Sequence, residues 1–340
     1  MDTAERLVSL EDIHAARARI GGLVHRTPVL SSATAARLLA ASGGPRLADD
    51  RLHVKAEHLQ KTGSFKARGL SNRIAMLGEE ERRRGAITMS AGNAGQAYAW
   101  AGRAAGVPVT VVMQEAAIRS KVDACLDYGA NVILHGADVG EAFAEMYRLR
   151  DERGLTFVHP FDDPAVIAGH GSLGIEILED VPEVDVVVVG IGGGGLISGV
   201  AAAIKETRPG TRVYGVEPTM ANAMKLAIDA GEVVRMRPQS IADGLGAPFA
   251  GEWTLAMCRR YLDDIVLIDD PTILGGLRFA AERMKQVLEP AGAAALAAVL
   301  YGAIPIRDGE QVCVVASGGN VEMGRLGELL AAGRPYPGAA

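Results

Sequence analysis

Four short segments of this chain hold side chains whose types and spacing could do chemistry together. Lys61-Thr-Gly-Ser-Phe-Lys66-Ala-Arg-Gly69 sets an amine between a Ser-Phe pair and an alanine, at what reads as a turn from strand to helix. An amine on a four-carbon stem loses its proton readily when desolvated, and only the neutral form attacks an aldehyde or removes a proton from carbon. Lys66 is therefore a candidate Schiff-base nucleophile. Ser90-Ala-Gly-Asn93-Ala-Gly-Gln96 follows the short apolar run Ala86–Met89 and opens an alanine-rich stretch. Small residues at such a turn leave N–H groups exposed at a helix N-terminus, where a carboxylate or phosphate can sit. Gly190-Ile-Gly192-Gly-Gly-Gly195 follows the apolar run 186–189. Its glycines let the backbone wrap an anion closely, and the helix that follows adds its dipole. Ser317-Gly-Gly-Asn320 closes the run 312–316 and places a hydroxyl at a strand's C-terminal end, where open α/β sheets bind ligands.

The elements that must position these groups follow from the alternation of short apolar runs with helical patterns, the mark of βαβ units and mainly parallel sheets with helices on both faces. Leu10–Ile20 reads as an amphipathic helix opening on Ser9, and 52–57 as a strand leading into the lysine segment. Runs 107–113 and 131–134 read as strands flanking a helix over 119–128, and further strands are expected at Val186, Val213, Ile265 and Val312. The expectation is a two-domain α/β protein: a small domain over 53–158, a large one from 1–52 plus 159–330, and a flexible tail over 331–340. Lysine and Asn loop would then face the Gly loop and Ser317 across a cleft that can close and exclude water.

Composition narrows the class. A chain of 340 residues, 49% hydrophobic, can bury a large core. Its net charge of -6 and pI near 5.7 argue against nucleic acid as a partner. No run of 18 apolar residues and no apolar leader near Asp2, Glu5 and Arg6 point away from a membrane. Cys125, Cys258 and Cys313 are odd in number and widely spaced, which fits a reducing cytoplasm. Gly190-x-Gly192-x-x-Gly195 also matches a dinucleotide fingerprint, with Glu217 downstream as the ribose partner, so a nicotinamide-dependent dehydrogenase stays open at this point.

Taken together and in this order, the four segments resemble the pyridoxal-phosphate enzymes of the tryptophan-synthase-β type (fold type II), in their threonine/serine dehydratase and serine racemase branch. The resemblance runs from about Leu30 to Leu326. It implies that Lys66 holds the cofactor covalently, with Phe65 packing on the pyridine ring and Asn93 bonding the ring hydroxyl. Gly192, Gly193, Gly194 and Gly195 would cradle the phosphate, and Ser317 would face the ring nitrogen. A hydroxyl there, in place of a carboxylate, cannot keep that nitrogen protonated, which favours expulsion of a β-substituent over transamination. Ser90, Ala91, Gly92, Asn93 and Ala94 would form the substrate-carboxylate loop. Glu289 and Asp243-Gly244 also match segments lining the cleft.

The chain departs from its relatives in three places. Racemases carry a second serine where Ala91 stands, and a methyl cannot deliver a proton to the far face of a carbanion. Most dehydratases carry His at Ala94, so this alanine either is tolerated or leaves room for a larger β-substituent. Relatives with a divalent cation use a Glu, a carbonyl four residues on and an Asp two beyond; here Glu217 and the Ala221 carbonyl fit, but Ala223 has no side-chain oxygen to give. A bound cation is expected only if water completes its shell. His159 and His170 lack metal-ligand spacing, and His25, His53 and His58 read as packing or surface residues.

The expected function is α,β-elimination from a β-hydroxy-α-amino acid such as L-threonine or L-serine, giving a 2-oxo acid and ammonia. The alternatives are the same chemistry on a bulkier substrate such as a 3-arylserine, an amino-acid racemase, a β-replacement enzyme, and, from another class, the dehydrogenase or a non-catalytic binding protein. A β-replacement enzyme would usually carry Thr at Ala94. A homodimer is expected from the family. The length leaves no space for the regulatory domain of feedback-controlled dehydratases, so a catabolic or specialised role is expected.

Overall fold

In the computed structural model, which describes residues 7–333 and 335–337, the apolar runs pair into two sheets. The larger sheet orders β1 (Val29–Ser32), β2 (Leu52–Lys55), β10 (Val312–Val315), β7 (Val186–Gly190), β8 (Arg212–Pro218) and β9 (Asp264–Ile268), and only β1 runs antiparallel to its neighbour. The smaller sheet orders β5 (Asn131–Leu134), β4 (Val109–Met113), β3 (Ala86–Met89) and β6 (Thr156–Phe157), all parallel.

Parallel strands covered on both faces read as continuous apolar runs, and their two-residue period sends alternate side chains to opposite cores. Val186, Val188, Val312 and Val314 face the core under helix Pro290–Leu300, whose eleven residues are all buried. Val187, Val189, Cys313 and Val315 face the other, under helices Pro164–Asp180 and Gly195–Thr207. In the smaller sheet, Val109, Val111 and Met113 pack beneath helix Asn93–Ala105, whereas Ile87 and Val112 pack beneath Val139–Arg153.

Helix starts follow local chemistry. Ser9 and Asp12 form a reciprocal capping box for Leu10–Ile20. Asp163 accepts from the Ala165 and Val166 N–H groups ahead of Pro164 at the first helical position. Helix Lys66–Ala75 is held differently. Arg68, fully buried, meets Glu57 through Nε–Oε2 at 2.7 Å and Glu176 through Nη1–Oε1 at 2.7 Å. Lys55 Nζ continues the network, 2.9 Å from Glu176 and 2.8 Å from Asp180.

Three expectations are corrected. The strand expected over 52–57 ends at Lys55, because Glu57 turns inward to meet Arg68. Being paired with β1 and β10, that strand belongs to the larger sheet, so residue 53 does not open the smaller unit. The tail is not free throughout: Met323–Ala332 is helical, and Tyr336 is buried edge-on against Phe279 with ring centroids 5.3 Å apart. The leader region around Asp2, Glu5 and Arg6, together with Arg334 and residues 338–340, lies outside the described residues.

Candidate active site

Lys66, half-buried as a residue, is the first of its helix, and its amine donates to the Pro160 carbonyl at 2.8 Å. Among the described residues no carboxylate pairs with it, and burial lowers its pKa to about 8. The Phe65 ring lies beneath this amine at 5.1 Å and meets His170 edge-on at 4.8 Å. Phe65 N–H donates to the Ser317 carbonyl at 3.1 Å, and Gly319 N–H to the Gly63 carbonyl at 2.9 Å. The lysine turn is thereby laid against the Ser317–Asn320 loop, with Ser64 bridging Gly318.

The same carbonyl that receives Lys66 leads to the glycine loop. Phe161 follows Pro160, and a Cβ built on Gly193 would stand 2.3 Å from its ring. A Cβ on Gly195 would stand 2.7 Å from the Phe161 carbonyl oxygen, and one on Gly192 2.7 Å from the Gly244 oxygen. Gly194 sits at φ +93°, the left-handed region that favours glycine. Thr254 clamps the loop from below, its Oγ1 donating to the Gly193 carbonyl at 2.7 Å. Asp162 in turn holds Thr254 by accepting its N–H at 3.1 Å. The helix Gly195–Thr207 begins in this loop, and first-turn N–H groups have no carbonyl of their own helix to bond.

Asn93 opens helix Asn93–Ala105 at the end of β3 and reaches across to the larger sheet. Its Nδ2 donates to Glu289 Oε1 at 2.6 Å, while its Oδ1 accepts from Asn320 Nδ2 at 2.8 Å. Asn320 Nδ2 also donates to the Thr62 carbonyl at 2.7 Å. Glu289 precedes Pro290 at the start of its helix, and burial pushes its carboxyl up to about 7, with the Asn93 bond pulling the other way. Ser90, Ala91 and Gly92 form the turn before Asn93, where Gly92 N–H donates to Ser90 Oγ at 3.3 Å.

Lys66, Phe65, Ser317, the four glycines, Asn93 and Glu289 thus converge. Glu217 and Ala221 do not. Glu217 is fully buried, and its two oxygens accept from Met224 N–H and Lys225 N–H, each at 2.9 Å. Burial pushes its carboxyl up to about 7. A carboxylate committed in this way reaches no ribose, which corrects the dinucleotide reading, and among the described residues no cluster of three His, Cys, Asp or Glu could hold a metal. Of the two readings of Ala94, its burial favours the tolerated alanine over added room: its methyl packs with the core of the smaller sheet.

Several residues of the site carried no local signal. Thr254 caps its own helix with Gly251, but its bond to the Gly193 carbonyl, and the bond from Asp162 that holds it, are tertiary. His170 is buried, with Nδ1 accepting the Gly69 N–H of the lysine helix at 3.1 Å, and His159 accepts from Asp162 N–H at 2.8 Å. Burial with Lys66 close by lowers the His159 pKa to about 4, so the ring is neutral.

A loop that admits no side chain, set at a helix N-terminus, suits a phosphate monoester, and an uncharged-prone amine beside it suits an aldehyde. These residues fit pyridoxal phosphate. The chain matches the family described as pyridoxal-phosphate dependent enzyme over residues 22–318, and it belongs to that family. Among its relatives is an L-threonine ammonia-lyase of Thermotoga maritima, 40% identical over 325 residues, covering 95% of this chain and 78% of that one. The structure of maize serine racemase superposes with a TM-score of 0.88 at 34% identity, covering 96% and 98% of the two chains. That of a T.th. threonine deaminase gives 0.84 at 38%, covering 93% and 99%. Family membership overturns the nicotinamide alternative and leaves the fold type II expectation standing.

Proposed function

We propose that this chain is a pyridoxal-phosphate-dependent ammonia-lyase that dehydrates and deaminates L-threonine, with L-serine as a smaller substrate. The observation that carries the reading is the Lys66 amine, held without a counter-charge at a pKa of about 8 and tied through Pro160–Phe161 to the glycine loop. The relatives named as threonine ammonia-lyases and deaminases support the choice of substrate.

The cofactor, when bound, supplies the electron sink that makes the substrate's Cα–H acidic. The chain supplies the rest. N–H groups of Gly192–Gly195 hold the phosphate, and those of the Ser90–Ala94 turn receive the substrate carboxylate. Lys66 Nζ takes the α-proton; the Cβ–O bond breaks, and the hydroxyl leaves as water with a proton returned from the lysine side. The released enamine takes up water, giving a 2-oxo acid and ammonia. Ala91 offers no proton on the far face, which separates this reading from a racemase. The bulkier 3-hydroxy amino acid draws little support from Ala94, whose methyl is packed into a core cluster.

We read the partner as a small amino acid, the assembly as a homodimer in the family's usual manner, and the compartment as the cytoplasm. Three buried, unpaired cysteines support a reducing compartment. Among the described residues no helix is long and apolar enough to cross a membrane. The test is release of 2-oxobutanoate from L-threonine and pyruvate from L-serine by the purified holoenzyme. Turnover of neither, with cofactor bound, would overturn the substrate assignment, and light scattering checks the dimer.

A further inference from the structure

We infer that the chain has replaced a structural cation beneath its phosphate loop by an internal cap, with Glu217 as a positioning residue that acts through Met224 on Gly194. The inference rests on the cofactor reading above.

Glu217 lies in β8, fully buried, where an uncompensated carboxylate is strongly disfavoured. Two compensations are open to such a group: a cation that shares it with other oxygens, or N–H donors. The structure takes the second. Oε1 accepts from Met224 N–H and Oε2 from Lys225 N–H, both at 2.9 Å, in the first turn of helix Ala223–Ala230. The positive end of that helix faces the carboxylate. Asn222, the residue before the helix, makes no side-chain cap, so Glu217 performs from a neighbouring strand the capping that the local sequence leaves undone. Ala223, the first helical residue, is buried and brings no side-chain oxygen. A hard cation here would have one carboxylate, already committed, and the Ala221 carbonyl, against the six or more oxygens it wants.

The cap fixes the place of Met224, which is fully buried. Its Cε is 2.5 Å from where a Cβ on Gly194 would stand, and Thr254 Cβ is 2.8 Å from the same point. Met224 and Thr254 together form the floor of the loop at the residue whose φ is +93°. A shift of the helix N-terminus therefore moves the surface on which the phosphate loop rests. That link makes Glu217 a positioning residue for the cofactor.

The test uses holoenzyme freed of metal by chelation. Wild-type melting temperature and the cofactor dissociation constant should be the same in chelator and in excess calcium or magnesium chloride. A cation-dependent rise in either stability or cofactor retention in the wild type would overturn the inference. Ala223→Asp, which puts a second carboxylate beside Glu217, should melt lower than wild type in chelator and recover on adding calcium. Recovery without the cation would also overturn it. Glu217→Gln presents only one acceptor and should weaken cofactor binding by about tenfold, the scale of one lost buried hydrogen bond. Met224→Ala, which leaves the cap intact, should weaken it in the same direction through the loss of the floor, and unchanged cofactor binding in both variants would overturn the positioning role. The wild-type titration decides the cation question even if Ala223→Asp does not fold. The visible cofactor band of the wild type separates failure here from failure of the cofactor assignment.

Discussion

Asn93 opens a helix packed on the smaller sheet, Glu289 precedes one packed on the larger sheet, and the two meet with the amide Nδ2 2.6 Å from the carboxylate Oε1. When ionised the Glu289 carboxylate can only accept, so it then fixes which end of the Asn93 amide faces it, and Asn320 accommodates the other end. The amide's second N–H would be the one left for a cofactor's ring oxygen under the proposed reading. Folded, the Glu289 carboxyl sits at about 7 against an ordinary 4.5, because burial outweighs the Asn93 bond; Lys121 draws it down slightly and Asp243 pushes it up. A raised carboxyl value means that the fold binds the proton more tightly than the unfolded chain. Stability from this group is complete below about 4.5 and is lost as pH rises through 7. Glu289→Gln should lose less stability than wild type across that window, in thermal melts at constant ionic strength. Glu217 titrates in the same range in both proteins, so the difference isolates Glu289. Parallel curves would contradict the assignment.

Lys66→Ala should lower turnover by at least about 100-fold, the usual effect of removing a catalytic base, while far-UV circular dichroism stays unchanged. In the wild type, capture of cofactor by apoenzyme should speed up as pH rises through about 8, where the buried amine becomes neutral. Acceleration deferred towards 10.5 would mean that burial does not depress this lysine.

Gly194→Asp puts a side chain into contact with the Met224 and Thr254 side chains, at a φ that disfavours it by about 1–3 kcal/mol, and adds a negative charge to an anion site. Cofactor affinity should fall by about 100-fold or more, roughly 3 kcal/mol, read by dialysis and absorbance. Full occupancy after dialysis would rule out the loop as the phosphate cradle.

Arg68→Ala leaves the buried Glu57 and Glu176 carboxylates without their shared cation. The expected loss is about 3–5 kcal/mol in urea denaturation, because an unpaired buried charge is far less stable than the pair. Lysine at this position should recover only part of it, since it cannot serve two carboxylates with a planar fork. A change below about 1 kcal/mol would show that the network relaxes or takes in water.

Ala91→Ser should raise D-serine formation from L-serine, whereas the wild type should release pyruvate with almost no D-serine. Chiral chromatography of the recovered amino acid alongside pyruvate release makes the comparison. Abundant D-serine from the wild type would replace the lyase reading by a racemase.

Much of the site was legible because its parts are local. The lysine turn, the Asn loop and the glycine loop are each contiguous segments whose backbone demands show in residue type: small residues where a helix begins, glycine where φ is positive. Helix Leu10–Ile20 was legible for the same reason, since Ser9 and Asp12 cap it within one turn. The strand over 52–57 was read two residues too long, because Glu57 looks like any strand-end residue until Arg68, eleven positions on, draws it inward.

The sequence by itself determined two mainly parallel sheets, through periodicity and turn chemistry that act over a few residues, and, through the resemblance its four segments carry, the cofactor class and Lys66 as the candidate to hold it. Only the tertiary structure decided which long-range partners complete the site. Glu217 caps a helix where a cation or ribose was conceivable, Ala94 packs into a core where a pocket was conceivable, and β2 joins the larger sheet. Each of these depends on which face of an element is buried and on what stands opposite it, and a buried polar group takes whatever donor the fold brings within about 3 Å.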